Sequence, residues 1–437
     1  MAWVAGKPAE ARTLLESAGA AYEEQGDAAA AARVDARLAN IDFQEGHPPQ
    51  AVARLTPALA ALETAGTDSD IAALAAQLGR FLIFTGQYDE AEPHLERALA
   101  IAEALDLPET LAQALNTKAV LMLRRHRRQE ALILVEGALA IALEHDLHAA
   151  ALRAYNNVGA TLWTVDRWRE HLATANRGLE LARRIGDRIW ESTFLAGSIG
   201  CMYMLGGWNE ALERAAEAEE LAATEFAQGL TLQLVPIHGH RGALDRARDL
   251  LTRHADVGQS ENADFAAGYV SIEAVLLGME GRPKEALATA RRALKVLGEA
   301  GGQHGWIRFE AFEAAADVDD GDEIRELLGL LDGLTAAEFG PSLRAQQARF
   351  RARLPEYDPE SEFATAERLF RELEAPFHLA VVQLEHAEWL AQQGQRDEAE
   401  PLLAEARETF ERLEATPWLE RADAARPALA RIGAETD

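Results

Sequence analysis

A single cysteine, Cys201, stands in a chain of 437 residues. One thiol excludes an intramolecular disulfide and is consistent with a reducing compartment. Basic residues are scarce as well, 43 against 72 acidic ones, for a formal charge of −29. That balance argues against nucleic acid as a main partner, because binding phosphates needs clustered Lys and Arg. It argues equally against adhesion to an anionic membrane surface. No apolar run reaches about 18 residues, so no membrane span is expected. The N-terminus, MAWVAGKPAEARTLL, lacks a basic segment followed by an apolar one, the mark of a secretory signal. Aromatics make up only 6% of the chain, and much of its 48% apolar content is alanine. A composition rich in Ala, Leu, Glu and Arg favours helix. The expectation is a soluble, cytoplasmic, helical protein.

The chemistry-bearing motifs that would signal an enzyme are missing too. There is no Gly-x-x-x-x-Gly-Lys-Ser/Thr phosphate cradle. The nearest basic glycine turn, Gly281-Arg282-Pro283-Lys284, reads as a connection between helices. Ala196-Gly197-Ser198-Ile199-Gly200 falls one residue short of a nucleophile elbow, which needs a strand-to-helix turn and a positioned His. Ser198 instead falls within a helical pattern, where small residues permit close packing. His238 and His240, in PIHGHRGA, lack further ligands at zinc spacing and read as solvated histidines in a loop. His-Glu-x-x-His is absent, and Cys201 reads as a small buried hydrophobe. Glu23-Glu24, Glu219-Glu220 and Asp317, Asp319 and Asp320 read as solvated faces or turns. No catalytic residue, metal or cofactor is expected.

What is present is a pattern. In LGRFLIFTGQYDEAEPHLERALAIAEAL, Leu78 to Leu105, residues Leu78, Gly79 and Phe84 share one helix face. Gly86-Gln87-Tyr88 breaks the period, and Tyr88 can plug the turn. Ala91, Leu95, Ala98 and Leu99 then recur at spacings of three and four, the apolar stripe of a second helix. The same turn-and-Ala signal recurs in GKPAEA, GHPPQA, GQYDEA, HRRQEA, DRWREH and GGWNEA. Its aligned positions are 11, 51, 91, 131, 171 and 211, a 40-residue period, with His171 in the Ala slot. Past residue 211 the register loosens: RGALDRA and GRPKEA fit, GDEIREL fits poorly, and Pro355 and Pro359 interrupt the pattern. A clear repeat then runs from Leu384 to Ala415, and Pro417-Trp418 opens a last helix.

This pattern resembles the tetratricopeptide repeat (TPR), a helix–turn–helix unit that stacks with its neighbours because it cannot bury its own apolar face. The family's marks are Leu78-Gly79, Gly86 and Tyr88, then Ala91, Leu95 and Ala98. The period exceeds the usual ~34 residues, as in the long-repeat members. The resemblance implies an all-α, right-handed superhelical solenoid of about eleven hairpins over residues 1–437. Regular repeats are expected over about 1–228, degenerate ones over about 229–376, a clear repeat at 377–415 and a capping helix at 417–433. With little chain before its first turn signal, the array reads as starting mid-repeat. A narrower resemblance lies at the end. FRELEAP and FERLEATPWLERADAARPAL are similar to the C-terminal repeats of bacterial nucleotide-cyclase and signalling-ATPase (MalT-like) regulators.

The TPR resemblance also implies a site. In such arrays the first helix of each repeat lines a concave groove. Carried over from the aligned Ala positions, its lining would be Arg80 and Ile83; Gln113, Asn116 and Leu123; Arg153, Asn156 and Trp163; and Thr193 and Tyr203. Asn156-Asn157-Val158-Gly159 resembles the Asn-Leu-Gly of long repeats, whose amide can both donate to and accept from a peptide backbone. Arg80 and Arg153 could pair with carboxylates. Arg124, Arg125, Arg127 and Arg128, at one repeat turn, are a candidate docking point for an acidic partner. The function expected is non-catalytic protein or peptide binding, as scaffold or sensor. The alternative is a regulatory tail of a cyclase or ATPase-driven regulator whose catalytic domains lie outside this chain.

Overall fold

The structure is a computed structural model that describes residues 8–65, 68–221, 229–260, 263–300 and 305–431. The first seven residues, with Gly6 of the first expected turn, and the end of the expected capping helix lie outside them. Among the described residues there are 22 α-helices and no strand. The first eleven are α1 (Pro8–Glu24), α2 (Ala28–Gln44), α3 (Pro48–Ala65), α4 (Asp68–Phe84), α5 (Tyr88–Ala104), α6 (Pro108–Arg124), α7 (Arg128–Glu144), α8 (His148–Trp163), α9 (Trp168–Ile185), α10 (Arg188–Leu205) and α11 (Trp208–Glu219). Their first residues fall at 8, 28, 48 and so on to 208, one helix every 20 residues and one hairpin every 40. The aligned alanines sit one turn into α1, α3, α5, α7 and α11, where Ala11, Ala51, Ala91, Ala131 and Ala211 are buried. The methyl-sized side chain there lets the second helix of a hairpin approach the first. No helix among the described residues is long and apolar enough to cross a membrane.

The chain divides into two compact units, Met1–Thr161 and Leu162–Asp437. The core of the first is built from small and branched side chains, among them Leu55, Leu62, Leu78, Leu95 and Ala98. Burying each leucine contributes about 1.5–3 kcal/mol. The Leu78-Gly79 pair shows why glycine belongs there: a Cβ on Gly79 would stand 2.7 Å from Leu95 Cδ2 and 3.3 Å from the Ala91 carbonyl oxygen. Phe84 departs from the expected face. It is 47% exposed, at the end of α4, with its ring edge on Phe43.

In the second unit the register loosens beyond residue 211, as the sequence suggests. Its later helices include short ones: α12 (Leu234–His240), α13 (Leu244–Arg253), α16 (Gly305–Ala314) and α17 (Gly321–Gly329), between which lie α14 (Ala263–Met279) and α15 (Pro283–Ala300). The poorly matching GDEIREL is α17, started by Asp320, whose carboxylate accepts from the N–H groups of Asp322 and Glu323. Then follow α18 (Pro341–Arg351), α19 (Pro359–Glu372), α20 (Pro376–Gln392), α21 (Arg396–Leu413) and α22 (Thr416–Arg431). Three of these begin on a proline, which tolerates the first turn because its missing N–H would have no helical partner there.

This unit is not a strict file in which each hairpin touches only the next. Its last hairpins return to its first ones. Helix α20 packs on α10, and Pro376 lies against Gly206. The Arg241 guanidinium donates to the Leu413 carbonyl at 3.1 Å, Arg169 pairs with Glu374, and Asp166 accepts from both the N–H and the hydroxyl of Ser342 at 2.9 Å. Helix α20 supplies the unit's inner core with Phe377, Val381, Val382 and Leu384, all 2% exposed or less.

Candidate binding face of the first unit

In the first unit, α4, α6 and α8 are the first helices of successive hairpins, and polar side chains tie them together. Gln77 on α4 donates to the Ala36 carbonyl on α2 at 2.8 Å. Arg153 on α8 donates through Nη2 to the Gln113 carbonyl at 2.9 Å and to Thr117 Oγ1 at 2.8 Å, both on α6. The Asn116 and Asn157 amides meet at 2.7 Å. With its oxygen turned toward Arg153, the Asn116 amide also accepts from Arg153 Nε at 3.1 Å.

Two cations on this face are unlike most of the chain's arginines. Arg54, Arg97 and Arg125 pair with carboxylates of neighbouring elements. Arg80 instead lies with its guanidinium 4.7 Å above the Phe43 ring, and among the described residues neither it nor Arg153 has a carboxylate partner. Burial pulls the Arg80 guanidinium down to about 10. Burial, and then the charge of Arg80, push Arg153 well below the usual arginine range. Two half-buried like charges within reach of one another, with no anion between them, is a costly arrangement that an incoming anion would relieve. Beside them Gln113 Oε1 is buried and accepts no hydrogen bond.

The expected groove residues divide by burial. Arg80, Gln113, Arg153, Asn156, Asn157 and Trp163 are half-buried, each with surface left to offer. Asn156 Nδ2 reaches Asn157 Oδ1 at 3.4 Å, and Trp163 belongs to the second unit. Asn116, Thr193 and Tyr203 are 1%, 6% and 2% exposed and do not open onto a groove. Asn116 is a strut between α6 and α8, Thr193 bonds back to the Ile189 carbonyl, and Tyr203 lies in the core beneath α20. Ile83 is core as well, while Leu123 is half-buried. The arginine turn is also not four open cations. Arg125 spans to Asp89 and Glu92 at 2.9 and 2.8 Å, Arg127 pairs with Glu130, Arg124 is half-buried and Arg128 is 9% exposed. The carboxylates of the preceding repeat are close enough to take up much of this charge.

Phe43, Gln77 and Thr117 complete the face and are not among the expected lining residues. The period would have found them. Phe43 stands 40 residues before Ile83, and Gln77 and Thr117 stand 80 and 40 before Asn157.

Residues 70–144 match the family model for the tetratricopeptide repeat. That stretch is the pair of hairpins α4–α5 and α6–α7. The matched stretch holds Arg80, Gln113 and Asn116. No curated protein matches the chain. Among solved structures, the apo form of the quorum sensor NprR from B. thuringiensis aligns over 86% of this chain and 98% of its own, at 12% identity and a TM-score of 0.49. A human IFIT1 dimer with m7Gppp-AAAA aligns over 90% of each chain, at 13% identity and a TM-score of 0.46. BtubC (BKLC) from P. vanneervenii aligns over 50% of this chain and 90% of its own, at 19% identity and a TM-score of 0.40. Identity this low says nothing about ligands.

The other sequence candidates are structural. Ser198 is fully buried in α10, donating to the Leu195 carbonyl at 2.7 Å and accepting from Arg214 at 3.0 Å. Cys201 is buried, which raises its thiol far above the reactive range. Gly281 is a left-handed turn residue, and Arg282 bonds to Glu285. The His238 and His240 segment corrects the expectation of a solvated loop. Both belong to α12, and His240 is 5% exposed. Trp418 Nε1 donates to its Nδ1 at 3.1 Å, so the proton sits on Nε2, which lies 3.2 Å from the Tyr203 hydroxyl. Burial pulls this imidazole down to about 3 and keeps it neutral. No group of three or more metal-ligating side chains exists among the described residues.

Proposed function

We propose that the chain is a non-catalytic binding module, a scaffold or sensor, whose first unit holds an extended acidic peptide against α4, α6 and α8. One observation carries this reading. Arg80 and Arg153 are uncompensated cations on a half-open face of a protein with net charge −29. In such a chain unpaired arginines are the exception, and a carboxylate from a ligand would supply the missing charge through short, charge-assisted hydrogen bonds. The half-buried amides of Gln113, Asn156 and Asn157 would hold the peptide backbone, since an amide can donate and accept at once. Overall negative charge disfavours a long polyanion, so a peptide bearing a few carboxylates fits better than nucleic acid. A single reduced thiol suits the cytoplasm. As the tail of a larger ATPase or cyclase regulator, the face would take a segment of that protein by the same chemistry.

The test is fluorescence anisotropy with a labelled decapeptide holding two glutamates in an alanine–serine background, alongside its glutamine counterpart and an oligoribonucleotide. The glutamate peptide should bind tighter, and Arg153→Ala should weaken it by about 10-fold or more, the loss expected for one hydrogen bond to a charged group. Equal binding of the two peptides removes the acidic reading, and preference for the oligoribonucleotide replaces it. ATP turnover or cyclic-nucleotide formation by the purified chain would remove the non-catalytic assignment.

A further inference from the structure

The charge and the open donors on the face of the first unit narrow the kind of anion that fits it. Arg80, on α4, and Arg153, on α8, belong to different hairpins, yet the charge of the first acts on the second. The two guanidinium groups therefore share one locus. Among the described residues no carboxylate acts on either of them. The nearby charges in sequence are already spoken for: Asp42, next to Phe43, is held by Arg12 and Arg54, and Lys118 of α6 by Glu96 of α5. Two positive charges thus stand together with nothing set against them.

The hydrogen-bond donors left over point the same way. Arg153 spends Nη2 on the Gln113 carbonyl and Thr117 Oγ1, and Nε on the Asn116 amide, which leaves Nη1. Arg80 lies over the Phe43 ring and donates no hydrogen bond. None of these open nitrogens is sealed from solvent. The face therefore offers one whole guanidinium fork and part of a second.

A single carboxylate has two oxygens and one charge. It fills the Arg80 fork and leaves Arg153 as it was. Two carboxylates restore neutrality only by bringing their own like charges together. A phosphate monoester carries a charge of about −1.5 to −2 at neutral pH and three acceptor oxygens on one centre. It can take both prongs of Arg80 and still reach Arg153 Nη1. A phosphodiester brings one charge per phosphate, and a run of them meets the net charge of −29. Given the peptide-binding reading of this face, on which this step rests, we infer that the bound peptide presents a phosphoserine or phosphothreonine to Arg80 and Arg153.

The test is fluorescence anisotropy on the whole chain with one labelled decapeptide in three forms, carrying phosphoserine, glutamate or glutamine at a single central position of an alanine–serine background. At pH 7.5 the phosphoserine form should bind at least about 10-fold tighter than the glutamate form. At pH 5 the phosphate, whose second pKa is about 6, is mostly a monoanion, and most of that margin should vanish. The glutamate form, with a carboxyl that titrates near about 4.3, should change little over the same range. Arg80→Gln and Arg153→Gln should each cut the phosphoserine margin to about two-fold or less, with circular dichroism confirming that each variant stays folded. Free phosphoserine should compete at least about 10-fold more weakly than the phosphopeptide, because it gives the Gln113, Asn156 and Asn157 amides no peptide backbone to hold.

Glutamate and phosphoserine forms that bind alike, both above glutamine, overturn the phosphate inference and leave the acidic-peptide reading in place. Three forms that bind alike overturn both. A phosphoserine margin that survives in folded Arg80→Gln and Arg153→Gln chains puts the phosphate elsewhere on the protein. Free phosphoserine that competes as well as the peptide replaces the peptide with a small phosphate ester. Either of these last two results also overturns the inference.

Discussion

The two units use the same hairpin to opposite ends. In the first, the helices that begin each hairpin carry polar side chains, most of which bond to one another or to backbone carbonyls. Arg153 reaches Thr117, Asn157 reaches Asn116 and Gln77 reaches Ala36. In the second, the equivalent faces are buried under α20, and their polar groups form charged networks out of water. Arg349 makes a two-pronged contact with Glu385 at 3.0 and 2.7 Å, Arg353 reaches the same carboxylate at 2.7 Å, and Glu313 lies 3.4 Å from His378. Burial opposes the charge on Glu385, yet Arg349 and Arg353 outweigh it and hold the carboxyl at about 2. A face whose cations bond only neutral groups can exchange partners with a ligand. A face locked by buried ion pairs cannot do so without exposing a charge to a low dielectric. The contrast is why the peptide is proposed on the first unit rather than on the inner face of the second.

Substitution should expose the contrast most strongly at the arginines. Arg349→Ala leaves Glu385 and Glu313 short of a buried partner and should destabilise the protein by about 3–5 kcal/mol, the usual loss when one half of a buried pair is removed. Arg153→Ala removes hydrogen bonds to neutral partners but also relieves the repulsion with Arg80, and should cost about 1 kcal/mol or less. Urea unfolding followed by circular dichroism checks both, and similar losses would erase the distinction. Glycines give the next largest effect. A Cβ on Gly278 of the second unit would lie 2.5 Å from the Ala314 carbonyl oxygen, backbone against backbone. Gly278→Ala should therefore push α14 off α16 and cost about 3 kcal/mol, the upper end for overpacking. Gly79→Ala in the first unit meets chiefly the Leu95 side chain, which can yield, and should cost less. If Gly79→Ala proves the more damaging in the same unfolding assay, the second unit is the looser of the two.

Much of the fold was legible because it repeats. A 40-residue period places Ala51, Ala91, Ala131 and Ala211 before any contact is known, and the helices begin where it says. The buried charges were not legible. In PFHLAVVQLEHAEWLAQ the residues His378, Gln383, Glu385 and His386 sit on an otherwise apolar helix, and such a helix carries polar groups only where partners await them. Those partners, Arg349 and Glu367, are 36 and 19 residues away in sequence from Glu385 and His386. The candidate face was legible in part. The period finds which residues share it, but not that Asn116 and Tyr203 spend their polar groups internally. Burial depends on what the rest of the unit lays across them, and no local pattern records that.

The smallest expected effect turns on one position in the hairpin turns. Residues 26, 46, 86, 106, 126, 146, 166, 186 and 206 all have left-handed backbone, φ between 53° and 86°. Glycine takes that conformation freely, while other residues lose about 1 kcal/mol, somewhat less for Asp, whose short side chain can bond locally. Asp106 and Asp146, in the first unit, point to solvent. Replacing either with Gly should relieve the strain, offset partly by the freer unfolded chain, for a net gain of a few tenths of a kcal/mol up to about 0.5 kcal/mol. Asp166, in the second unit, has the same φ, 60°, but its carboxylate holds the first turn of α18 through the N–H and hydroxyl of Ser342. That contact acts as a helix cap supplied from 176 residues away, and losing a cap costs about 1 kcal/mol. Asp166→Gly should therefore destabilise where Asp106→Gly and Asp146→Gly stabilise. The measurement is the urea midpoint of each single variant. If all three shift it in one direction, backbone strain alone governs the turn, and the second unit gains nothing at this point from folding back on itself.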